Sequence, residues 1–139
     1  MINSIISGMA CAIYAEFGEE YTIYKEKISQ GLTTPCFYLS CVDAAQNLFR
    51  GDVYKIEHRF LVLYFPSSED ANAECMDVAD RLWTTLELID TKQGKKMGTK
   101  MQAEIRDDLL NFSLTYSGYY RRDQQKRYMD HLEGRFKGG

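Results

Sequence analysis

The chain has 139 residues, 17 basic and 20 acidic side chains, and a net charge of −3 at pH 7. Its length suits one domain that buries roughly two thirds of its unfolded surface. Residues 1–118 carry 11 basic and 17 acidic side chains, net −6, whereas residues 119–139 carry 6 basic and 3 acidic, net +3. The acidic body argues against a nucleic-acid-binding fold, which would present a basic face, so no nucleic-acid specificity is expected.

The N-terminal residues do not resemble a signal peptide, because they lack a basic region and are interrupted by Asn3, Ser4 and Ser7. No stretch approaches the length of a membrane span, so no membrane association is predicted. The cysteines form no CxxC pair and are too sparse for a disulfide framework. Free, buried thiols in a reducing cytoplasm are therefore expected at all four positions, Cys11, Cys36, Cys41 and Cys75.

Apolar residues at helical spacing predict a first helix over about residues 3–17, with Gly18 as its C-cap. Weak alternation over residues 21–26 indicates a short strand, and residues 30–35 have the composition of a loop. A second strand is predicted over residues 36–42.

Residues 43–52 allow two interpretations. The second strand continues with a bulge, or a long hairpin connection ends in a tip that includes Arg50, Gly51 and Asp52. Arg-Gly-Asp is an integrin-binding tripeptide, but a turn rich in Gly and Asp explains it more simply.

The most strand-like run covers residues 53–65 and stops at Pro66, which cannot donate to a sheet. The most helix-like run follows over residues 68–89, with Ser67 or Ser68 as the expected N-cap. One apolar stripe would pack this helix on the sheet, formed by Cys75, Val78, Ala79, Leu82, Trp83, Leu86 and Ile89.

Residues 91–100 are basic and contain two glycines, which indicates an exposed, mobile loop and does not match a phosphate-binding P-loop. Alternation then predicts a strand over residues 100–107, a turn at Asp107-Asp108 and a further half-exposed strand. The inward residues of that last strand would be Leu110, Phe112, Leu114 and Tyr116.

Together these elements predict an α+β fold with a single mixed or antiparallel sheet of about four to five strands flanked by two helices. The folded domain would cover residues 1–118. Residues 119–139 would form a basic C-terminal tail that is disordered or ordered only by a partner.

Few residues could carry catalysis. A thiol hydrolase would need Cys41 and His58 with Asp43 or Glu57, but nothing around Cys41 resembles a nucleophile motif. The acidic cluster over residues 69–80 is better explained as a solvated helix face than as a metal site. We therefore predict that the protein is not an enzyme and has no metal site and no cofactor.

The tyrosine content is more informative, with ten tyrosines in a short chain. Several are expected on exposed strand faces or in the tail, where amphipathic rings suit protein–protein contacts: Tyr24, Tyr38, Tyr116, Tyr119 and Tyr120. The alternative that some of them complete a small core carries equal weight.

Three separated segments follow the opening helix in order: FGEEYTIYKEKISQGLTTPCFYL from Phe17, YFPSSEDANAECMDVADRLW from Tyr64, and GTKMQAEIRDDLLNFSLTY from Gly98. In this arrangement the chain resembles the tail terminator proteins of phages and prophages of Gram-positive bacteria. The resemblance covers about residues 2–118 and leaves the basic tail outside.

This resemblance implies a homohexameric ring on the end of a completed tail tube, where the ring stops tube polymerisation and offers a surface for head joining. The implied partners are further copies of the chain, the tail tube protein and a head-completion or connector protein. The implied location is the virion tail, after assembly in the bacterial cytoplasm. No catalytic residue or cofactor is required.

Head-to-tail rings need heterologous interfaces, for which exposed tyrosines and the two projecting segments, residues 43–52 and 91–99, are suitable. The predicted subunit or tube interface contains Tyr24, Tyr38, Arg50, Asp52, Lys95, Lys96, Tyr116 and Tyr119. Two alternatives stay open: another structural protein of the tail tube or head–tail joint, and a small enzyme or ligand-binding domain.

Overall fold

The computed structural model describes residues 1–25 and 33–121, and within these ranges the chain forms two helices and six strands. In chain order they are α1 (Ile2–Phe17), β1 (Thr22–Lys25), β2 (Cys36–Arg50), β3 (Val53–Phe65), α2 (Ala71–Thr85), β4 (Leu88–Thr91), β5 (Gly94–Arg106) and β6 (Leu109–Arg121). The strands join one sheet in the order β1-β2-β3-β6-β5-β4. Because β1 pairs parallel with β2 whereas β5 pairs antiparallel with β4 and β6, the sheet is mixed. The α+β prediction is confirmed, with six strands instead of four to five.

The chain divides into two compact units. The first contains residues 1–44 and 57–117, and the second contains residues 45–56 and the chain from residue 118 onward. Strands β2, β3 and β6 contribute residues to both units.

The core of the first unit lies between the helices and the sheet. Helix α1 buries Ile5, Met9 and Ile13, which are spaced three or four residues apart as expected for one helix face. Strand β6 buries the alternate residues predicted for it, Leu110, Phe112, Leu114 and Tyr116. Full burial of each such apolar side chain stabilises the fold by about 1.5–3 kcal/mol.

Helix α2 begins later than predicted. Asp70 is the N-cap, and its carboxylate accepts a hydrogen bond from the Ala73 N–H at 3.3 Å. The predicted caps Ser67 and Ser68 are wrong, because their backbone N–H groups instead donate to the Glu74 carboxylate at 3.2 and 2.9 Å. The Tyr64 hydroxyl donates to the same carboxylate. Glu74 therefore holds the end of β3, the connection and the first helical turn together.

Helix α2 also ends earlier than predicted, at Thr85 instead of residue 89. The Thr84 and Thr85 hydroxyls both donate to the Arg81 carbonyl, and such side-chain bonds to the backbone weaken a helix end. Leu86 closes the helix, and Ile89 enters the core from strand β4 instead of from the helix. The predicted helix was too long because the apolar residues keep helical spacing across the junction between α2 and β4.

The loop predicted over residues 91–100 is wrong, because this segment is part of the β4–β5 hairpin. The Thr91 hydroxyl fixes the turn by accepting from the Gln93 N–H and donating to the Gly94 carbonyl. A register shift between Thr99 and Gln102, with Lys100 at φ 53°, interrupts the alternation that would otherwise indicate a strand. The predicted Asp107-Asp108 turn is confirmed, with both residues at positive φ as in a type I′ turn.

Strand β2 continues to Arg50, so the predicted continuation of the strand through residues 43–50 is confirmed and the long connection is wrong. The turn consists of Gly51 and Asp52, and Gly51 has φ 58°, a left-handed conformation that favours glycine. Strand β6 reaches Arg121, so residues 119–121 are not a tail, whereas residues 122–139 lie outside the described residues. The loop predicted over residues 30–35 is described only for 33–35, which are neither helix nor strand.

A first prediction concerns the close packing of α1 against β4. A Cβ atom added at Gly8 would lie 2.5 Å from the carbonyl oxygen of Asp90. Although alanine is the better helix former by about 1 kcal/mol, we expect Gly8→Ala to lower the free energy of unfolding by about 1–3 kcal/mol, because the backbone of β4 must move. Urea denaturation gives the measurement. Ser7→Ala, on the exposed side of the same helix, is the control, and a Gly8→Ala protein as stable as this control would contradict the packing.

A second prediction concerns Glu74. Burial would raise the pKa of Glu74, but hydrogen bonds from Ser68, Tyr64 and Ser67 outweigh it and hold the pKa below the ordinary 4.5. A carboxylate with a lowered pKa in the folded state stabilises the protein above its unfolded pKa, and this stabilisation is lost as the pH falls through the folded value. Glu74→Gln should therefore destabilise the protein at pH 7, and the difference from wild type should shrink below pH 4.5.

Urea unfolding at pH 7 and at about pH 3 measures this difference, with the exposed Asp77→Asn on the same helix as the matched control. An equal difference between wild type and Glu74→Gln at both pH values would show that the ionised carboxylate is not what holds this junction.

Candidate functional site

The second unit brings three of the predicted interface residues together, Arg50, Asp52 and Tyr119. The Phe49 ring meets the Tyr119 ring at a centroid distance of 5.0 Å, and the Arg50 guanidinium lies 5.6 Å from the Phe49 ring centroid. Every residue from 42 to 50 is exposed, and Leu48 and Phe49 expose 61% and 53% of their surface. We call residues 48–52 the hairpin tip. Its exposed apolar residues, Leu48 and Phe49, were not predicted.

The base of the hairpin tip is tied to the end of β6. The Arg121 guanidinium donates to the Asp52 carboxylate at 2.7 Å, and the Tyr120 hydroxyl donates to Gln46 at 2.8 Å. The Tyr54 and Tyr120 rings stack at a centroid distance of 5.8 Å. Asp52 is therefore engaged within the chain, which supports the interpretation of Arg50-Gly51-Asp52 as a turn sequence.

Lys95 and Lys96 lie on the β4–β5 hairpin and point to opposite sides of it. Lys95 is exposed and pairs with Asp90, its cross-strand neighbour, at 2.7 Å. Lys96 is half-buried, and its charge adds to burial and to the charge of the N-terminus in lowering the pKa of His58. On the same side as Lys95, Leu88 and Met97 form an exposed apolar cross-strand pair that was not predicted.

The remaining predicted residues are less exposed. Tyr24 and Tyr38 are register partners in the β1–β2 pair, both half-buried, and the Tyr24 hydroxyl oxygen accepts from the Thr33 N–H at 3.1 Å. Tyr116 is fully buried, and its hydroxyl donates to the Leu86 carbonyl at 2.6 Å. The expectation that Tyr116 is exposed is wrong, because it continues the inward face of β6. Burial raises its pKa well above the ordinary value.

A groove lies between α2 and β5 in the first unit. Its volume is about 270 Å³, and it is lined by Met76, Ala79, Asp80, Ala103, Ile105 and Leu110. Met76, at the rim of the groove, is 58% exposed, and Asp80 is the charged residue among those that line the groove. We call this cavity the α2–β5 groove. The pattern of α2 placed Met76 and Asp80 outside the apolar stripe but gave no sign of a recess, because the groove depends on how β5 lies beside the helix.

Cys41 and His58, the pair considered for thiol chemistry, each contact another residue. The Cys41 thiol donates to the Asp43 carbonyl at 3.6 Å, and the His58 ring lies 6.3 Å from the Phe60 ring between centroids. Burial, with the positive charges of the N-terminus and Lys96, lowers the pKa of His58. Within residues 1–25 and 33–121, no group of three or more His, Cys, Asp or Glu side chains could hold a metal ion.

The cysteines are free, but their predicted burial is wrong at two positions. Cys36 and Cys75 are buried, whereas Cys11 is exposed on α1 and Cys41 is half-buried on β2. Burial raises the pKa of both Cys36 and Cys75, which disfavours their reactive thiolate forms.

A family model described as phage tail terminator protein matches residues 4–128. The chain belongs to the phage tail terminator family. The predicted family is therefore confirmed, and the protein is a structural component of the phage tail. The α+β fold agrees with the prediction. No curated protein matches the sequence. The Gram-positive host implied by the resemblance stays a prediction.

The family match extends ten residues past the predicted limit at residue 118 and includes the whole of the described second unit. The hairpin tip and its contacts with β6 therefore belong to the terminator module. Neither helix in the described part of this chain is long and apolar enough to cross a membrane.

A third prediction uses the thiols to test for catalytic chemistry. In the native protein, iodoacetamide should modify Cys11 first, Cys41 more slowly, and Cys36 and Cys75 only after unfolding, because access and thiolate formation both limit the reaction. Mass spectrometry of peptides over time gives the order, with Cys11→Ser as the control for assignment. If Cys41 reacted faster than Cys11, an activated thiol would be indicated and the hydrolase alternative would regain support.

Proposed function

We propose that this protein caps the completed tail tube as a homohexameric ring, stops tube polymerisation and provides the surface for head joining. The observation that carries this proposal is the family match over residues 4–128 of the 139-residue chain. Its partners are further copies of itself, the tail tube protein and a head-completion or connector protein. It assembles in the bacterial cytoplasm and acts without catalysis.

The sheet edges support self-assembly. Strand β1 pairs with β2 only over Cys36–Leu39, so the remaining edge of β2 has no strand partner among the described residues. At the other end of the sheet, β4 has only four residues beside the much longer β5. Long exposed edges favour pairing with another chain, and two different edges on one subunit suit head-to-tail contacts.

A second candidate function is a subunit of the tail tube or of another part of the head–tail joint. The same two sheet edges favour it, because heterologous contacts produce an open filament when the rotation between subunits does not close. The two candidates differ in what the purified protein builds.

A fourth prediction addresses this difference. Light scattering of the purified protein should give a species near six times the 16.1 kDa chain mass, and negative-stain images of the same peak should show closed rings. Long fibres would favour the tube candidate and contradict the terminator. If the purified protein is a monomer, the deletion experiment in the phage distinguishes the candidates, because a tube end can act as the template for the ring.

In the phage, deletion of the gene should give tails of uncontrolled length that fail to join heads. Expression of the wild-type chain from a plasmid should restore uniform, joined tails. Tails of normal length in the deletion strain would overturn the proposed function whatever the oligomeric state of the purified protein.

A further inference from the structure

We propose that the hairpin tip of one copy docks in the α2–β5 groove of the next copy, with the Phe49 ring in the groove and the Arg50 guanidinium beside Asp80. This contact rests on the proposed self-assembly and assigns two different surfaces to it. Neither surface is assigned by the family match.

The hairpin tip has the composition of an inserted anchor. Leu48 and Phe49 leave more than half of their surface in water, which is unfavourable for a monomer by about 25 cal/mol for each Å² of apolar surface. Contacts with Tyr119 and Arg50 already hold the Phe49 ring, so docking orders few additional groups. Phenylalanine and arginine are both enriched at protein–protein interfaces relative to the rest of the surface.

The α2–β5 groove has the complementary size and surface. Five of its six lining residues are apolar, and Met76 at its rim can adapt its flexible side chain to a ring. A dry apolar cavity of about 150 Å³ accepts a benzene molecule, and the groove has about 270 Å³. One aromatic ring therefore fits, with room for part of a second side chain such as Leu48.

Charge favours the same pairing. Arg50 is exposed at the hairpin tip, and Asp80 lines the groove with Asp77 also exposed on α2. Opposite charges at the rim of an apolar contact guide association and fix its orientation. The other exposed apolar pair, Leu88 and Met97, lies at the end of the β4–β5 ladder that is farthest from its turn, and its neighbour Lys95 is already paired with Asp90. This pair is therefore less suited to enter a groove.

The two surfaces differ, so the contact is heterologous and every copy can both insert its own tip and receive another. Such contacts do not stop at a twofold dimer. They add further copies, and they form a closed ring where the rotation between neighbouring copies closes. Loss of one contact type therefore affects every interface of the ring at once.

The fifth prediction is a charge exchange. Arg50→Glu and Asp80→Arg should each raise the protein concentration needed for ring formation by at least about tenfold. The double variant should form rings at a concentration close to that of the wild type, because it restores the pair of opposite charges. Phe49→Ala should have an effect at least as large, whereas Leu88→Ala, which removes an equally exposed residue elsewhere, should have none. Sedimentation velocity over a dilution series measures assembly. All substituted residues are exposed, and circular dichroism checks that each variant folds.

A cysteine experiment tests the contact where rings form only on tubes. In a Cys11→Ser background, Leu48→Cys and Met76→Cys single variants, which keep Phe49, Arg50 and Asp80, are expressed together in the deletion phage, and assembled tails are oxidised. A disulfide-linked dimer should appear with both variants present and not with either alone. Its absence from tails of normal length would overturn the proposed contact and leave the terminator function intact. A crosslink from Leu48→Cys to the tube protein would likewise overturn the proposed contact. The proposed function is tested separately, because it would be contradicted by tails of normal length in the deletion strain.

Discussion

The buried hydrogen bond from the Tyr116 hydroxyl to the Leu86 carbonyl, at 2.6 Å, joins the end of α2 to the central strand β6. At the same point the Gly98 N–H donates to the Glu87 carbonyl at 2.6 Å, and a Cβ atom at Gly98 would lie 2.9 Å from the Leu86 oxygen. The first contact satisfies a carbonyl that the helix end leaves unpaired, and the second satisfies the carbonyl of the residue that follows the cap. They also turn the chain from helix into β4, so the edge of the sheet and the course of β5 depend on them.

This junction explains which parts of the fold the sequence could predict. Strand β3 was predicted with the bounds it has, because its apolar run and Pro66 are local signals. The inward face of β6 was predicted by simple alternation. The end of α2 was not, because Leu86 and Ile89 keep helical spacing while their burial comes from two different elements. The helix end combines a local feature, the Thr84 and Thr85 hydroxyls on the Arg81 carbonyl, with a hydroxyl thirty residues away in sequence, and no local pattern shows the second contact.

The candidate surfaces were predictable to a smaller degree. Arg50 and Asp52 were recognised as a projecting turn, and Tyr119 as an exposed ring, but their meeting in one unit depends on strand order. Two predictions for Tyr116 disagreed: the alternation of β6 indicated a buried side chain, whereas the high tyrosine content suggested an exposed one. The periodicity was the better guide, because a buried tyrosine is stable once its hydroxyl finds a partner. The lining residues that α2 contributes to the α2–β5 groove lie 23 or more positions from those of β5 and β6, and no periodicity in the sequence predicts a cavity between such distant segments.

The distribution of polar groups agrees with a protein that acts by assembly. The strongest polar arrangements among the described residues are structural: Glu74 joins β3 to α2, and Arg81 joins α2 to Glu16 at the end of α1. Apolar side chains, by contrast, remain exposed at the hairpin tip and at the rim of the α2–β5 groove. A monomer gains nothing from this arrangement, since each exposed ring costs hydration free energy. A ring of identical copies can bury both surfaces at every interface, and because the two are different, one contact is enough to build the whole ring.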